Sequence, residues 1–386
     1  MDSKKRYTFA ILFGITMLAF SEQMVTVLIN DITNQFSLKG AQIGLSGTCM
    51  SAGCTLAMLV VPLLAGRFKK LTSIKASIVV ICLSLFLGQS MQVFFLFLVM
   101  ILILGLGSGS LDTLCNGAMV DLHKSDNAKY LGALHGVYGI GALIAPLILR
   151  ALLEKTKNWK MVFIIMAIVF AVVFVIFMIF VPNKGISESA KDADPEEQKL
   201  SWAILKEFYS DKRNIIMTMV AVCYSFFQCS MLSWSVRYMT VQHDNAKAGS
   251  FALTAFWLGA TVSRFFGPRL KMQKMKLVGC GCIIGAAALL GGILSNSPYG
   301  MVAAYAVVGL VSGFAMPMII SAATDGQEGR TSLATSSIMF ILAIPRMIAP
   351  VLVASIAAGI SQNAAMTFGV VAATFCGIIS LIVANK

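Results

Sequence analysis

Five ionisable side chains lie inside long apolar stretches of this sequence: Glu22, Asp112, His135, Arg264 and Arg346. An ionised group at the centre of a bilayer costs about 2.5–3.5 kcal/mol even on a lenient insertion scale, so such residues face an interior and usually serve a function. At the rise of an α-helix, Asp112 lies roughly 14 Å from one end of its run and His135 roughly 9 Å from the same end of the next, with Asn116 between those depths. The three can form one polar cluster. A carboxylate beside an imidazole titrates near neutrality, as a proton carrier must; the alternative is a static hydrogen-bonded pair that joins two helices. Glu22, flanked by Ser21 and Gln23, is a second carboxylate. Desolvated and without a fixed cation it would load and release a proton, whereas at a wet cavity rim it would couple nothing. Arg346 stands beside Pro345, where a broken turn could free a carbonyl, and it stays charged only against a carboxylate, an anionic solute or water.

Around these charges the sequence supplies neutral polar and aromatic residues in mid-run: Asn116, Tyr138, Tyr224, Gln228, Trp234, Trp257 and Tyr305. Together with Arg346 they form the candidate substrate-binding set. Indole and phenol rings offer a flat apolar face with a polar edge, which suits a sugar ring. Any one of them alone is more often packing, but as a set they favour a polar organic solute over a bare ion. The nine cysteines all fall in apolar runs and behave as small hydrophobes; Cys280 and Cys282 point to different faces of a helix and have no His nearby, so no metal and no cofactor is expected. No phosphate loop, zinc hydrolase or nucleophile motif is present, and an enzyme is not expected.

The elements that must position these residues are membrane spans. Hydrophobic residues make up 58% of the chain and charged ones 12%, against about 45–50% and about 25% in soluble domains. Twelve apolar runs read as transmembrane helices, at roughly 7–30, 41–66, 72–91, 93–121, 129–153, 159–181, 213–240, 247–270, 277–295, 299–322, 331–360 and 364–384. Lys4-Lys5-Arg6 precedes a run too long for a signal peptide and without a cleavage site, so the first helix is expected to be retained.

The second half repeats the first at an offset of 204 residues. Gly105-Leu106-Gly107-Ser108-Gly109 matches Gly309-Leu310-Val311-Ser312-Gly313, Asp121 matches Asp325, and Ile144-Ala145-Pro146 matches Ile348-Ala349-Pro350. Such a repeat is how alternating-access transporters are built, with two bundles rocking about a solute; duplication without transport is the alternative. The expected fold is therefore an all-α membrane protein of two pseudo-symmetric six-helix bundles. Its expected parts are an N-terminal bundle at 1–182, a linker at 183–212 and a C-terminal bundle at 213–386. The linker carries Asp192-Ala193-Asp194-Pro195-Glu196-Glu197 and an amphipathic stretch from Trp202 to Tyr209, which reads as a cytoplasmic tether lying along the bilayer.

The net charge of +13 follows the membrane rather than nucleic acid. Lys39, Arg150, Lys155, Lys157, Lys160, Arg237 and Lys247 fall on one side, Arg264 and Arg346 lie within helices, and the remaining basic residues fall on the other side. The positive-inside rule then places both termini in the cytoplasm of a multi-pass protein of the inner, plasma membrane.

Twelve helices in two repeats with a central linker resemble the major facilitator superfamily over the whole chain. Gly66-Arg67-Phe68-Lys69-Lys70 resembles a degenerate version of that family's Gly-x-x-x-Asp-Arg-x-Gly-Arg-Arg motif, lacking the Asp, and Asp121 is the partner type at the end of helix four. Arg264-Phe265-Phe266-Gly267-Pro268-Arg269 is similar to the second-half pattern, with Ser263 in place of Gly, and Asp325 repeats Asp121. The resemblance implies that Arg67, Asp121, Arg264 and Asp325 gate the cytoplasmic side. Asp112-Thr113-Leu114-Cys115-Asn116 followed by Leu134-His135-Gly136-Val137-Tyr138-Gly139-Ile140-Gly141-Ala142 resembles the fucose-permease-like branch, largely proton symporters of sugars and related solutes. In that branch a helix-one carboxylate occupies the position of Glu22. The resemblance implies proton coupling by Glu22, Asp112 and His135.

The function expected is secondary active transport of a small sugar-like solute with protons, in a lipid bilayer, by a monomer. Organic-anion transport or exchange through Arg346 and proton-driven export of apolar drugs are the alternatives, the latter suggested by 23 Met and 25 Phe.

Overall fold

The structure, a computed structural model, describes residues 3–64, 67–123, 127–181, 211–325 and 331–384. The described residues form helices joined by short connections, as a chain with little polar side-chain material must if its backbone is to satisfy itself in hydrocarbon. The expected linker at 183–212 falls almost wholly outside the described residues.

The helices are α1 (Ser3–Val27), α2 (Ile29–Gln35), α3 (Gln42–Leu64), α4 (Lys70–Gly88), α5 (Phe94–Leu122), α6 (Asn127–Thr156) and α7 (Trp159–Phe180) in the first half. In the second half they are α8 (Lys212–His243), α9 (Ala246–Phe266), α10 (Lys274–Leu294), α11 (Pro298–Ser312), α12 (Ala315–Thr324), α13 (Thr331–Gly359) and α14 (Gln362–Ala384). Among the described residues, eleven helical segments are long and apolar enough to cross a membrane. The expected segment 247–270 does form a helix, α9, of 21 residues, and a helix of that length reaches about 31 Å. Its Gly, Ser and Thr content and Arg264 leave it outside those eleven.

The chain divides into two compact units, Met1–Leu38 with Leu45–Ala193, and Lys39–Gly44 with Asp194–Lys386. In the first unit, α1 packs on α5, α6 and α7, and α4 packs on α5 and α7. Phe97, Phe163, Phe170 and Phe177 fill its interior, with Trp159 edge-on to Phe97 at 5.8 Å. In the second unit α9 packs on α11, α10 on α11 and α14, and α8 on α13 and α14. Exposed apolar residues such as Phe95, Ile179, Leu294 and Phe375 cover the outer faces, where lipid is their natural solvent.

The same backbone contact recurs in both units. A Cβ on Gly53 would collide with the Leu102 carbonyl oxygen and one on Gly105 with that of Met50, so α3 and α5 touch backbone to backbone. In the second unit Gly259 meets the Ala306 carbonyl and Gly309 that of Phe256 in the same way. Small residues permit this approach, and in lipid close packing is what holds helices together. The repeat read from the sequence thus reappears as repeated packing.

The units part at one helix. The single expected segment 299–322 is broken into α11 and α12 at Gly313-Phe314. Pro317 explains the break: it lacks an N–H, and its ring clashes with the carbonyl four residues earlier, that of Gly313. At the matching position in the first unit stands Thr113, whose hydroxyl donates to the Gly109 carbonyl at 2.8 Å, and α5 runs unbroken for 29 residues.

Candidate membrane-embedded site

Of the carboxylates in the spans of the first unit, Asp121 and Glu154 lie near span ends and pair with cations, whereas Glu22 and Asp112 lie farther in and are each engaged by a neutral donor. Gly141 brings α6 against α1, since a Cβ there would run into Thr16 and Ala19. From the helices so joined, the Tyr138 hydroxyl donates a hydrogen bond to Glu22 Oε2. On α5, Asn116 Nδ2 donates to Asp112 Oδ1 at 3.0 Å and to the Asp112 carbonyl at 2.9 Å, a pairing that the four-residue spacing of a helix makes. All four side chains are part-exposed, as groups must be if a proton or solute is to reach them. Ser21 and Ser108 face each other at 3.5 Å between α1 and α5. His135 is exposed on α6, three residues before Tyr138 and so on the same stripe of that helix.

At the basic end of this unit Asp121 is paired, but with Lys70 rather than Arg67. Arg67 is exposed in the turn before α4. In the second unit Lys274 Nζ reaches both oxygens of Asp325, at 2.7 and 2.8 Å. Lys70 and Lys274 obey the 204-residue offset as Asp121 and Asp325 do, so the same clamp is built twice. Sequence reading gave the gating roles to both aspartates with Arg67 and Arg264 and left Lys70 and Lys274 among the basic residues around them, although the offset alone could have singled the lysines out. Nearby, buried His123 shares a 2.8 Å hydrogen bond with the Thr8 hydroxyl and stacks on Tyr130, tying together α1, α5 and α6.

At the opposite end of the first unit lies Asp31 on α2. Burial holds its carboxyl above the usual carboxylate range, opposed by a hydrogen bond from its own backbone and by the charge of Arg150. Arg150 Nε in turn donates to Glu154 Oε1 at 2.9 Å.

In the second unit, several residues expected to line a binding site instead complete the packing. Tyr224 is 2% exposed and donates to the Ser312 carbonyl at 3.1 Å, and Arg264 Nε donates to the Gly313 carbonyl at 3.3 Å. Both acceptors are at the end of α11, where Pro317 disrupts the helical ladder, so these two side chains serve the broken helix. Arg264 also lies over the Trp257 ring, 5.8 Å from its centre. Tyr305 is fully buried and donates to the Met231 carbonyl at 2.7 Å, while Trp234 donates to Gln362 Oε1 at 2.9 Å. Each of these buried polar atoms is turned to a partner inside the bundle. Gln228 is part-exposed on α8 and Arg346 is exposed on α13. Helix α13 continues through Pro345 and Pro350, and near the first of them Ser225 donates to the Leu342 carbonyl at 2.7 Å.

Comparison with known proteins places this arrangement. The chain is 23% identical to the glucose/mannose transporter GlcP of Bacillus subtilis (strain 168) over 175 residues, a match that spans 44% of this chain and 43% of that transporter. Its fold is similar to that of the D-xylose-proton symporter, with a TM-score of 0.77 at 13% identity over 97% of each chain. It is also similar to that of the nucleoside transporter NupG, with a TM-score of 0.76 at 13% identity over 99% of this chain and 98% of the other. The Major Facilitator Superfamily profile matches residues 11–350, and the chain belongs to that superfamily of transporters.

Proposed function

We propose that the chain is a proton symporter that moves a small polar organic solute, of sugar or nucleoside type, across the plasma membrane by alternating access. The observation that carries this reading is the pair of membrane-embedded carboxylates engaged by neutral donors, Glu22 with Tyr138 and Asp112 with Asn116. A hydroxyl or an amide bonded to a carboxylate gives up no charge, so a proton can arrive without an ion pair between these partners being broken. Glu22, Asp112 and His135 carry the proton in this proposal, while Asn116, Tyr138, Gln228, Trp257 and Arg346 contact the solute. The glucose/mannose and D-xylose transporters among its relatives support the solute class, and the runs Asp112–Asn116 and Leu134–Ala142 support the fucose-permease-like branch. Twelve spans in two six-helix bundles, both termini in the cytoplasm and a monomeric state belong to the same proposal. Lys70–Asp121 and Lys274–Asp325 would brace the cytoplasmic side, with Arg264 acting through the end of α11.

A second reading, exchange of an organic anion, is favoured by the exposure of Arg346 within α13. Thermal stability of the purified protein across hexoses, pentoses, nucleosides and small carboxylates separates the two, because a ligand stabilises the state it binds. Stabilisation by a sugar or nucleoside that is lost in Asn116→Ala supports the first reading. Stabilisation by carboxylates alone, lost in Arg346→Ala, replaces it with the second.

A further inference from the structure

The basic end of the second unit holds a cavity of about 480 Å³, lined by Arg213, Gln273, Lys274 and Asp325 together with Met217 and Met275. Its walls come from α8, α10, the end of α12 and α14. Two cations and one anion leave it with a net positive charge. Arg213 donates from Nη2 to the Ala322 carbonyl at 2.9 Å, which takes one of the five N–H donors of a guanidinium. Asp325 is shared along Lys274, with both carboxylate oxygens within 2.8 Å of Nζ. Arg213, Gln273 and Asp325 are exposed at the mouth, whereas Met217 and Met275 are 2% and 4% exposed and form an apolar floor. Arg269 and Lys271 on the preceding turn add to the positive potential.

A charged mouth above a thioether floor fits an amphiphile with an anionic head. We infer that this cavity binds a phosphate group, that of an anionic phospholipid head in the adjoining leaflet, with Arg213 and Lys274 taking the phosphate oxygens and the methionines meeting the glycerol and first methylenes. Guanidinium and ammonium groups make their strongest hydrogen bonds to such oxygens, and methionine adapts to irregular apolar surface. Basic pockets between transmembrane helices on the cytoplasmic side recognise lipid head groups by this chemistry. The phosphate competes with Asp325 for Lys274, so its binding loosens the clamp between α10 and the end of α12. A soluble phosphate ester has the same head chemistry and is the other possible source.

The test uses the purified full-length protein in a neutral detergent, with thermal stability and native mass spectrometry as readouts. The probes are phosphatidylglycerol, phosphatidylcholine, inorganic phosphate and glycerol 3-phosphate. The expected result is that phosphatidylglycerol stabilises and is retained while phosphatidylcholine is not. Arg213→Gln should weaken that retention about tenfold or more, the range lost with one charge-assisted hydrogen bond. Arg269→Gln, outside the cavity lining, should weaken retention by less than Arg213→Gln does. Gln273→Glu, which sets a carboxylate at the exposed rim, should weaken retention as well and serves if Arg213→Gln does not fold. Stabilisation by glycerol 3-phosphate or inorganic phosphate that Arg213→Gln abolishes would support the phosphate site and assign it to a soluble ligand. Stabilisation by none of the phosphate probes, or stabilisation unchanged in the Arg213 and Gln273 variants, would overturn the inference.

Discussion

Asp112 and Glu22 differ in how they are held, and that difference sets what their variants should do. Asp112 is bonded within its own helix to Asn116, so Asp112→Asn keeps the shape and an amide–amide contact while removing the titrating oxygen. The expected outcome is loss of proton-driven accumulation with solute-for-solute exchange retained, since exchange needs no net proton movement; a counterflow assay beside an accumulation assay reads both. Glu22 is bonded across helices to Tyr138. Glu22→Gln should make solute affinity less dependent on pH, measured as the apparent affinity between pH 6 and 8; an unchanged pH profile with weaker binding would make Glu22 a solute contact instead. Asp31 provides a stability test with a defined sign. Its folded-state carboxyl is raised by burial, so it favours folding while protonated and that contribution is lost as pH rises through the carboxylate range. Asp31→Asn should therefore raise the melting temperature at neutral pH, and the advantage should vanish on acidification below the ordinary carboxylate range.

At the scale of elements, the repeated glycine contacts and the single broken helix divide stability from asymmetry. Gly53→Ala and Gly259→Ala each drive a methyl into a backbone carbonyl and should cost about 1–3 kcal/mol, whereas Gly132→Ala, with open space around it, should be neutral or better. Arg264→Ala leaves the Gly313 carbonyl without the donor it has now, a loss of about 1–3 kcal/mol. In a Pro317→Ala background the helix can supply its own N–H, and the same substitution should cost less than half as much. A thermal-denaturation double-mutant cycle measures that coupling, and additive effects would mean that Arg264 does not serve the break. Much at this scale was legible in advance. Apolar runs of helical length, the offset repeat and the matched aspartates each mark an element or a position by type alone. The Glu22–Tyr138 contact was not legible, because it depends on how closely Gly141 lets two helices approach. Tyr224, Trp234 and Tyr305 read as binding aromatics because residue type cannot tell a polar edge facing a cavity from one spent on a neighbouring carbonyl. Pro317 was visible as a residue, but its effect needed the acceptor four residues back and the two side chains that gather at the freed end.

For the whole molecule, two units with the same internal packing but different chemistry suggest a division of work. The membrane carboxylates belong to the first unit; at the repeat positions of Asp112 and Asn116 the second has Met316 and Ile320. Proton coupling through one half and closure through the paired Lys–Asp clamps of both is the resulting account. The measurement that tests it most directly is accumulation in proteoliposomes under an imposed pH gradient, using the solute that best stabilises the protein, for wild type and Asp112→Asn in parallel. The expected result is wild-type uptake above equilibrium that collapses with a protonophore, and equilibration without accumulation in Asp112→Asn. Accumulation by Asp112→Asn equal to wild type, or wild-type uptake indifferent to the protonophore, would contradict proton coupling through the first unit.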